Sequence, residues 1–376
     1  MLKTKRWNKL IVILLAAALP LAYNACGAGA QLSGNIGSGS STLSTPQKQQ
    51  TPIAVSSSFG AITVDFPVGS TIPLSIPLIS PAVDLETVTS VSSTTVTSSA
   101  ANWTSNYAGA YYLHVTYGAN VGVDFLISSN TTTTLTFAAT NMNALISAGD
   151  MFEIVPANTL ASVFGTSTST VVQTATSTAC PSGFTSTCAD SVNLWNGNAW
   201  TTYYNNGTHW VGIDSNKAIV TANADSTAIP PNSGATFTRA SGPSNAQTLS
   251  LPLMGRVPPS TMAAPAPAPG TTTLLGNRFP QATTLKALGL QSIVGWVSST
   301  TASKADQVSL WNGSSFATTY YYDGQMWRKV GSALDFDDLL IDVMTVISVQ
   351  RVQPVSGQSS TSTTFTQIMP YSLNTM

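Results

Sequence analysis

From Gly60 to about Asp150, short runs of alternating apolar and polar residues are broken by turn residues, which is the period of half-buried β-strands. Ala61-Ile62-Thr63-Val64-Asp65-Phe66 is one such run. Residues 87–97 are almost all Thr, Val and Ser, a composition suited to a pleated, half-buried surface. Residues 111–117 predict a further strand, ended by Gly118; residues 124–128 lead to a turn near Asn130, and residues 131–137 lead away. Beyond residue 150 a longer repeat emerges. Ala189-Asp190-Ser191-Val192-Asn193-Leu194-Trp195-Asn196-Gly197 returns as Ala305-Asp306-Gln307-Val308-Ser309-Leu310-Trp311-Asn312-Gly313. Thr201-Thr202-Tyr203-Tyr204, Gly207 and Trp210 return as Thr318-Thr319-Tyr320-Tyr321, Gly324 and Trp327, with one extra residue near Ala317. Each copy predicts a three-stranded meander, in the first copy over residues 192–195, 200–204 and 208–211. Asn196-Gly197, Asn206-Gly207, Asn312-Gly313 and Asp323-Gly324 predict tight type I′ hairpin turns between the strands. Helix is scarce: residues 141–148, 159–164 and 283–288 predict single turns.

The reading is an all-β chain with an N-terminal β module (59–150), a first repeat unit (151–254), a Pro-rich spacer (255–274) and a second repeat unit (275–376). The repeat units are expected to pack as a pseudo-symmetric pair. Ahead of them, Lys3, Lys5, Arg6 and Lys9 precede a short apolar stretch over residues 10–22, the layout of an export signal over 1–25. Two endings compete. Ala25-Cys26-Gly27 matches the end of a lipobox with Cys26 lipidated; Ala28-Gly29-Ala30 matches a cleavage site with Gln31 first in the mature chain. Residues 26–58 read as a flexible Gly/Ser/Thr/Gln tether. Membrane contact is expected only through the signal or a lipid anchor. In an oxidising compartment Cys180 and Cys188 pair; two free thiols are the alternative.

Several of these segments resemble an uncharacterised paralogous family of exported proteins from verrucomicrobia-like bacteria. They are Ala305-Asp306-Gln307-Val308, Trp311-Asn312-Gly313, Tyr320-Tyr321-Tyr322-Asp323-Gly324 and Trp327-Arg328-Lys329-Val330, with residues 149–156 and Ile229-Pro230 followed by Phe237-Thr238-Arg239. The resemblance implies export and a β-rich fold, and implies no activity. The second unit departs from it, with Leu339-Leu340-Ile341-Asp342 in place of the Ile-Pro pattern. Ala101-Asn102-Trp103-Thr104, Ser129-Asn130 and Thr133-Thr134-Leu135-Thr136 resemble small β modules of phage tail and bacterial surface proteins.

Charge and chemistry narrow the function. Only 8% of residues are charged and the formal net charge is -1, with no basic run after residue 9 to neutralise phosphates, so nucleic acid is not an expected partner. Glu occurs only at Glu86 and Glu153, and no nucleophile elbow, zinc-protease motif or phosphate loop is present. His114 and His209 read as tolerated strand residues, the acids Asp335, Asp337 and Asp338 as a solvated turn, and no metal or cofactor is expected. Asp190 and Asp306, each just before a strand, are expected to hydrogen-bond local backbone. The leading expectation is an exported cell-surface structural or adhesive protein without catalytic activity, partnered by itself or by other envelope proteins. The alternative is a polysaccharide-binding protein using Trp195, Trp200, Trp210, Trp311, Tyr320 and Trp327, because exposed aromatic rings stack on sugars. Cross-strand pairing and core packing compete for the same rings.

Overall fold

The structure is a computed structural model. It describes residues 58–371 except 139–140, 167–170, 177, 197–198, 232–233, 243–246 and 354–363. The expected export signal, Cys26 and the tether up to residue 57 lie outside the described residues.

The fold is all-β. Strands β1 (Phe59–Phe66) and β2 (Thr71–Leu74) open it. Then come β3 (Asp84–Thr87), β4 (Ser90–Val91), β5 (Thr95–Thr97), β6 (Tyr111–Tyr117), β7 (Asp124–Asn130), β8 (Thr134–Phe137) and β9 (Met151–Pro156). Helix α1 (Leu160–Phe164) precedes β10 (Ser191–Trp195), β11 (Trp200–Asn205), β12 (Trp210–Ile213), β13 (Ile219–Thr221), β14 (Ala235–Thr238) and β15 (Leu249–Arg256). The remainder is β16 (Met262–Pro265), β17 (Thr272–Gly276), β18 (Thr283–Thr284), β19 (Gln307–Trp311), β20 (Phe316–Tyr322), β21 (Trp327–Lys329), β22 (Leu340–Ile341), β23 (Val346–Gln350) and β24 (Thr364–Gln367).

Three antiparallel sheets share one strand order. They are β2-β14-β10-β11-β12 with β13 added, β17-β23-β19-β20-β21, and β3-β9-β6-β7-β8 with β5 and β4 added. In each, the first strand pairs with the last, and the last pairs with the leading strand of a three-stranded meander. The duplication legible in the aromatic motif therefore extends, in topology, to the N-terminal module. The two repeat units also share an outer ribbon, β1·β15 in the first and β16·β24 in the second.

Nesting changes the expected boundaries. β1 and β2, expected within the N-terminal module, instead complete the sheets of the first repeat unit, where β2 pairs with β14 and β1 with β15. The module of β3–β9 is thus an insertion in the first unit, and β9, expected in that unit, lies between β3 and β6 in the inserted sheet. The Pro-rich spacer is not merely extended: its Met262–Pro265 is strand β16 of the second unit.

The turns also differ from expectation. Trp195 pairs with Trp200, Asn205 with Trp210, Trp311 with Phe316 and Tyr322 with Trp327, so every loop holds four residues, not two. The Asn or Asp opening each loop decides this, because its carbonyl or carboxylate oxygen accepts from backbone N–H groups ahead. Asp323 Oδ1 accepts from Gln325 N (2.8 Å) and Met326 N (2.9 Å), and Asn312 Oδ1 from Ser314 N and Ser315 N (both 3.0 Å). Gly324 then follows at φ 103°. The extra residue near Ala317 is a β-bulge: Leu310 pairs with Thr318 and Trp311 with Phe316, leaving Ala317 unmatched. The predicted turns at 141–148 and 159–164 form. Residues 283–288 instead begin as β18, followed by one turn closed by Leu288 N donating to Thr284 O.

Each unit has its own core. Phe66, Phe164, Trp210 and Phe237 anchor the first, Leu113, Ile127, Leu135 and Phe152 the inserted one, and Leu285, Val308, Trp327 and Val349 the second. The cores interlock, since Met344 of the second unit packs in the first unit's core and Ala263 of β16 in the inserted unit's.

Candidate functional site

The aromatic positions of the two meanders separate into three roles. Trp210 and Trp327 are fully buried and Tyr320 is 5% exposed. Trp210 lies between 5 and 6 Å from Phe164, ring centre to centre (5.7 Å), and donates from Nε1 to Gly165 O at 2.9 Å; Trp327 meets Trp296 and Tyr322, each at 5.8 Å. No ligand in solvent can stack on these three rings, so Trp210, Trp327 and Tyr320 leave the expected polysaccharide set. Trp195 and Trp311 are half-buried; across the hairpin Trp195 meets Trp200 at a tilt (5.3 Å) and Trp311 meets Phe316 edge-on (5.1 Å). Trp311 also donates from Nε1 to Thr71 O of the first unit at 3.2 Å, joining the two repeats. Of the six expected residues Trp200, 37% exposed, is the most open to solvent.

The register relates the two repeats residue by residue and locates their contact. Ala235 corresponds to Ile347 and Leu74 to Leu275, which makes Gly234 equivalent to Val346 and Ser75 to Gly276. Equivalents face each other. A Cβ on Gly234 would fall 2.3 Å from Val346 Cγ1, and one on Gly276 would fall 2.0 Å from Ser75 Oγ. The repeats thus meet around a local pseudo-twofold axis, as the duplication led us to expect.

Buried charge is also duplicated. Asp190 Oδ1 accepts from Ala240 N and Oδ2 from Gln173 N, both 2.8 Å, and Oδ2 also accepts from Arg239 Nη1. Asp306 Oδ1 accepts from Val352 N (2.7 Å), and Oδ2 from Val297 N (2.9 Å) and Arg351 Nε (2.6 Å). Both carboxylates are fully buried. The expected bonds to local backbone do not form: the carboxylates reach backbone N–H groups 9 to 50 residues away, and in addition the arginine just past the end of the sheet's last strand. The inserted unit has Ala110 and Ala157 at this level of its register, joined by a plain backbone bond of 2.8 Å. A second pair is equivalent as well: Asp225 accepts from Trp210 N and Asp337 from Trp327 N. Asp337 is therefore a buried cap for a core Trp, not part of a solvated turn. Burial pushes its carboxyl up, but Lys286 and Trp327 N outweigh that and hold it below the usual range.

At the meeting point of the units, His114 Nδ1 lies 2.6 Å from Asp124 Oδ1, and Arg278 Nη2 donates to Asp124 Oδ2. All three side chains are within a few per cent of full burial. Arg278 belongs to the second unit and His114 and Asp124 to the inserted one, so the cluster is a clasp between them. Arg278 Nη1 also donates to Gly122 O at 2.6 Å. Burial works against ionisation of Asp124, yet His114 and Arg278 overcome it and depress its pKa. Burial first and Asp124 second push the Tyr112 phenol up. The adjoining cavity, lined by Tyr112, Asp124 and Arg278, measures about 40 Å³, room for a water or two and for no organic substrate. His114 is a clasp residue, not a tolerated strand residue.

The opposite ends of the two repeats differ. In the first unit the loop before β10 carries the expected Cys180–Cys188 disulfide. It lies against the sheet, with Phe184 stacked on Tyr204 at 4.3 Å and 7°. In the second unit the corresponding loop, between Val297 and Asp306, is eight residues shorter, counted from the equivalent pairs Gln173–Asp190 and Val297–Asp306. Beside it lies an open trough of about 800 Å³ lined by Thr301, Ser303, Gln307, Asn312, Thr319 and Lys329 among others. Among the described residues no group of three or more potential metal ligands converges. No family model matches the chain, and neither a curated protein nor a solved structure is similar to it.

Proposed function

We propose that the chain is an exported cell-surface structural or adhesive protein without catalytic activity, belonging with the exported β-rich proteins its motifs resemble. The observation that carries this reading is where the duplicated aromatic and charged residues go. Trp210, Trp327 and Tyr320 build cores, Trp311 ties one repeat to the other, and the Asp–Arg pairs lock strand ends, so the most specific part of the sequence serves construction. The disulfide supports export, because such a bond persists in oxidising compartments. Surfaces of Ser, Thr, Asn and Gln with few charges give little colloidal repulsion, which suits a protein held in contact with neighbours.

The test is protease treatment of intact cells producing the protein, followed by immunodetection. Loss of signal from intact cells supports the reading; a chain recovered whole and only from the cytoplasm sinks it. Polysaccharide binding is the second reading. It no longer rests on the six aromatic residues as a set; the open trough of the second unit favours it.

A further inference from the structure

The alternation of backbone bonds in the β1·β15 ribbon identifies which groups of β1 are free. Ile79 N donates to Arg256 O at 3.0 Å and Arg256 N to Ile79 O at 2.7 Å, so Arg256 turns its backbone away from β1. Antiparallel ladders alternate residue by residue. Met254, Pro252 and Ser250 therefore turn away as well, while Gly255, Leu253, Leu251 and Leu249 bond to their β1 partners Gly60, Ile62, Val64 and Phe66. Val257 N, donating to Ser58 O at 2.8 Å, continues the same alternation. Phe59, Ala61, Thr63 and Asp65 thus point N–H and C=O to the outer edge of β1. All four residues are exposed, and among the described residues nothing bonds to these backbone groups.

The neighbouring edges are protected. On β15, Ile79 takes Arg256, and Pro252 has no N–H to offer. β16 is the counterpart of β1 in the second unit. There Ala263 N donates to Val121 O at 2.7 Å, Ala263 O accepts from Arg278 Nη1, and Pro265 has no N–H. β1 holds no Pro, no Lys and no bulge, the devices by which a sheet edge refuses another strand. Its edge is also self-complementary. With Ile62 on a twofold axis, Phe59 stands opposite Asp65 of a second copy and Ala61 opposite Thr63, so every outward residue finds a partner and each pair exchanges both backbone bonds. Asp65 is the strand's one charge. This pairing holds the two carboxylates ~20 Å apart, six residues at ~3.3 Å each, whereas parallel pairing sets them side by side. Met254 and Phe59, 80% and 53% exposed, lie on the ribbon's solvent face, and pairing extends that apolar face across the axis. A formal net charge of -1 gives two copies little mutual repulsion. We propose that two copies of the chain join edge to edge through β1, as one antiparallel ribbon of order β15-β1-β1-β15. This rests on the structural reading above, which supplies many copies on one surface, and gives that reading its partner.

The experiment is sedimentation velocity of the purified protein over a wide range of concentration. A monomer–dimer equilibrium is expected. Ala61→Lys sets two ammonium groups near the axis, and Thr63→Pro removes an outward donor while leaving every β1·β15 bond in place. Each should weaken dimerisation about tenfold or more. Val220→Lys, on the exposed edge strand β13 of another sheet, should dimerise like the parent. Circular dichroism checks that the variants fold; Ala61 is exposed, so its variant carries the test even if Thr63→Pro folds poorly. A monomer at every concentration, open-ended assembly in place of a dimer, or a dimer indifferent to Ala61→Lys overturns the proposal. So does a chain that dimerises only after deletion of residues 31–50, which would assign the edge to the chain's own leading segment. Sedimentation decides the pairing and protease treatment of cells decides the location, so the two ideas fail separately.

Discussion

Asp190 and Asp306 each satisfy two backbone N–H groups and one arginine while fully buried. Removing one partner leaves an uncompensated buried cation and two orphan donors, which costs far more than the pair itself contributes. Asp190→Ala and Asp306→Ala should therefore each lose roughly 3–5 kcal/mol in urea unfolding. The duplicated Asp was legible in the sequence, but its arginine was not, because Arg239 and Arg351 follow 49 and 45 residues later. The signal was present in outline: Phe237-Thr238-Arg239 and Val349-Gln350-Arg351 both end an apolar strand with the same cation. Asp124 gives the pH dependence. Its folded pKa lies below that of an unfolded Asp, near 4, so its contribution is present above that value and disappears as pH falls through the depressed folded value. Urea midpoints should fall steeply below about pH 4, and Asp124→Asn, less stable at neutral pH, should show a shallower slope there.

At the level of strands and turns, hydrophobic alternation located most elements, and the near-duplicate motif located the two meanders. The loops are longer than the type I′ pattern predicts because glycine is only part of the turn signal. Positive φ was needed, at Gly313 and Gly324, but the preceding Asn or Asp side chain, by capping the loop, set its length at four. The aromatic residues were legible as a set but not by role. Two rings in one β-strand can point to a core or to a neighbouring unit, and the sequence does not say where that unit lies. Two glycines carry the contact between repeats. Gly234→Ala would drive a methyl into Val346, and Gly276→Ala would drive one into Ser75. Each should lower stability by about 1–3 kcal/mol, the cost of overpacking, in thermal melts. Serine at position 276, matching its counterpart Ser75, should be no better tolerated than alanine.

Over the whole molecule the feature least visible beforehand is the nesting. Strand partners more than 160 residues apart leave no local trace, and the inserted unit reads as an ordinary first domain. The structure makes it separable instead. It enters and leaves through neighbouring chain segments, with Val83 N donating to Ile154 O at 2.8 Å, and is clasped by Arg278 on one side and by Arg256, bonded to Glu153, on the other. Deleting residues 82–155 should leave both repeat units folded once Arg278→Met removes the stranded cation. Circular dichroism and limited proteolysis would show it, and a collapsed or wholly digested product would refute it.

The nesting also bears on the order in which the chain becomes structured. Thr71 meets Thr238 across 167 residues of sequence, whereas every strand of the inserted unit lies within the span 84–156. Contacts that close long loops form late. A chain emerging from its N-terminus must hold β1 and β2 unpaired while an entire unit is made and folds between them and their partners. Pulse-labelled hydrogen exchange during refolding should find amides of β6 and β9 protected before those of β1 and β2; the reverse order would mean that the outer unit closes first and the insertion folds inside it. Throughout that interval the first two strands are the segment most open to capture by another molecule, so the same topology that joins the units in the finished protein sets the moment at which its assembly is most exposed to error.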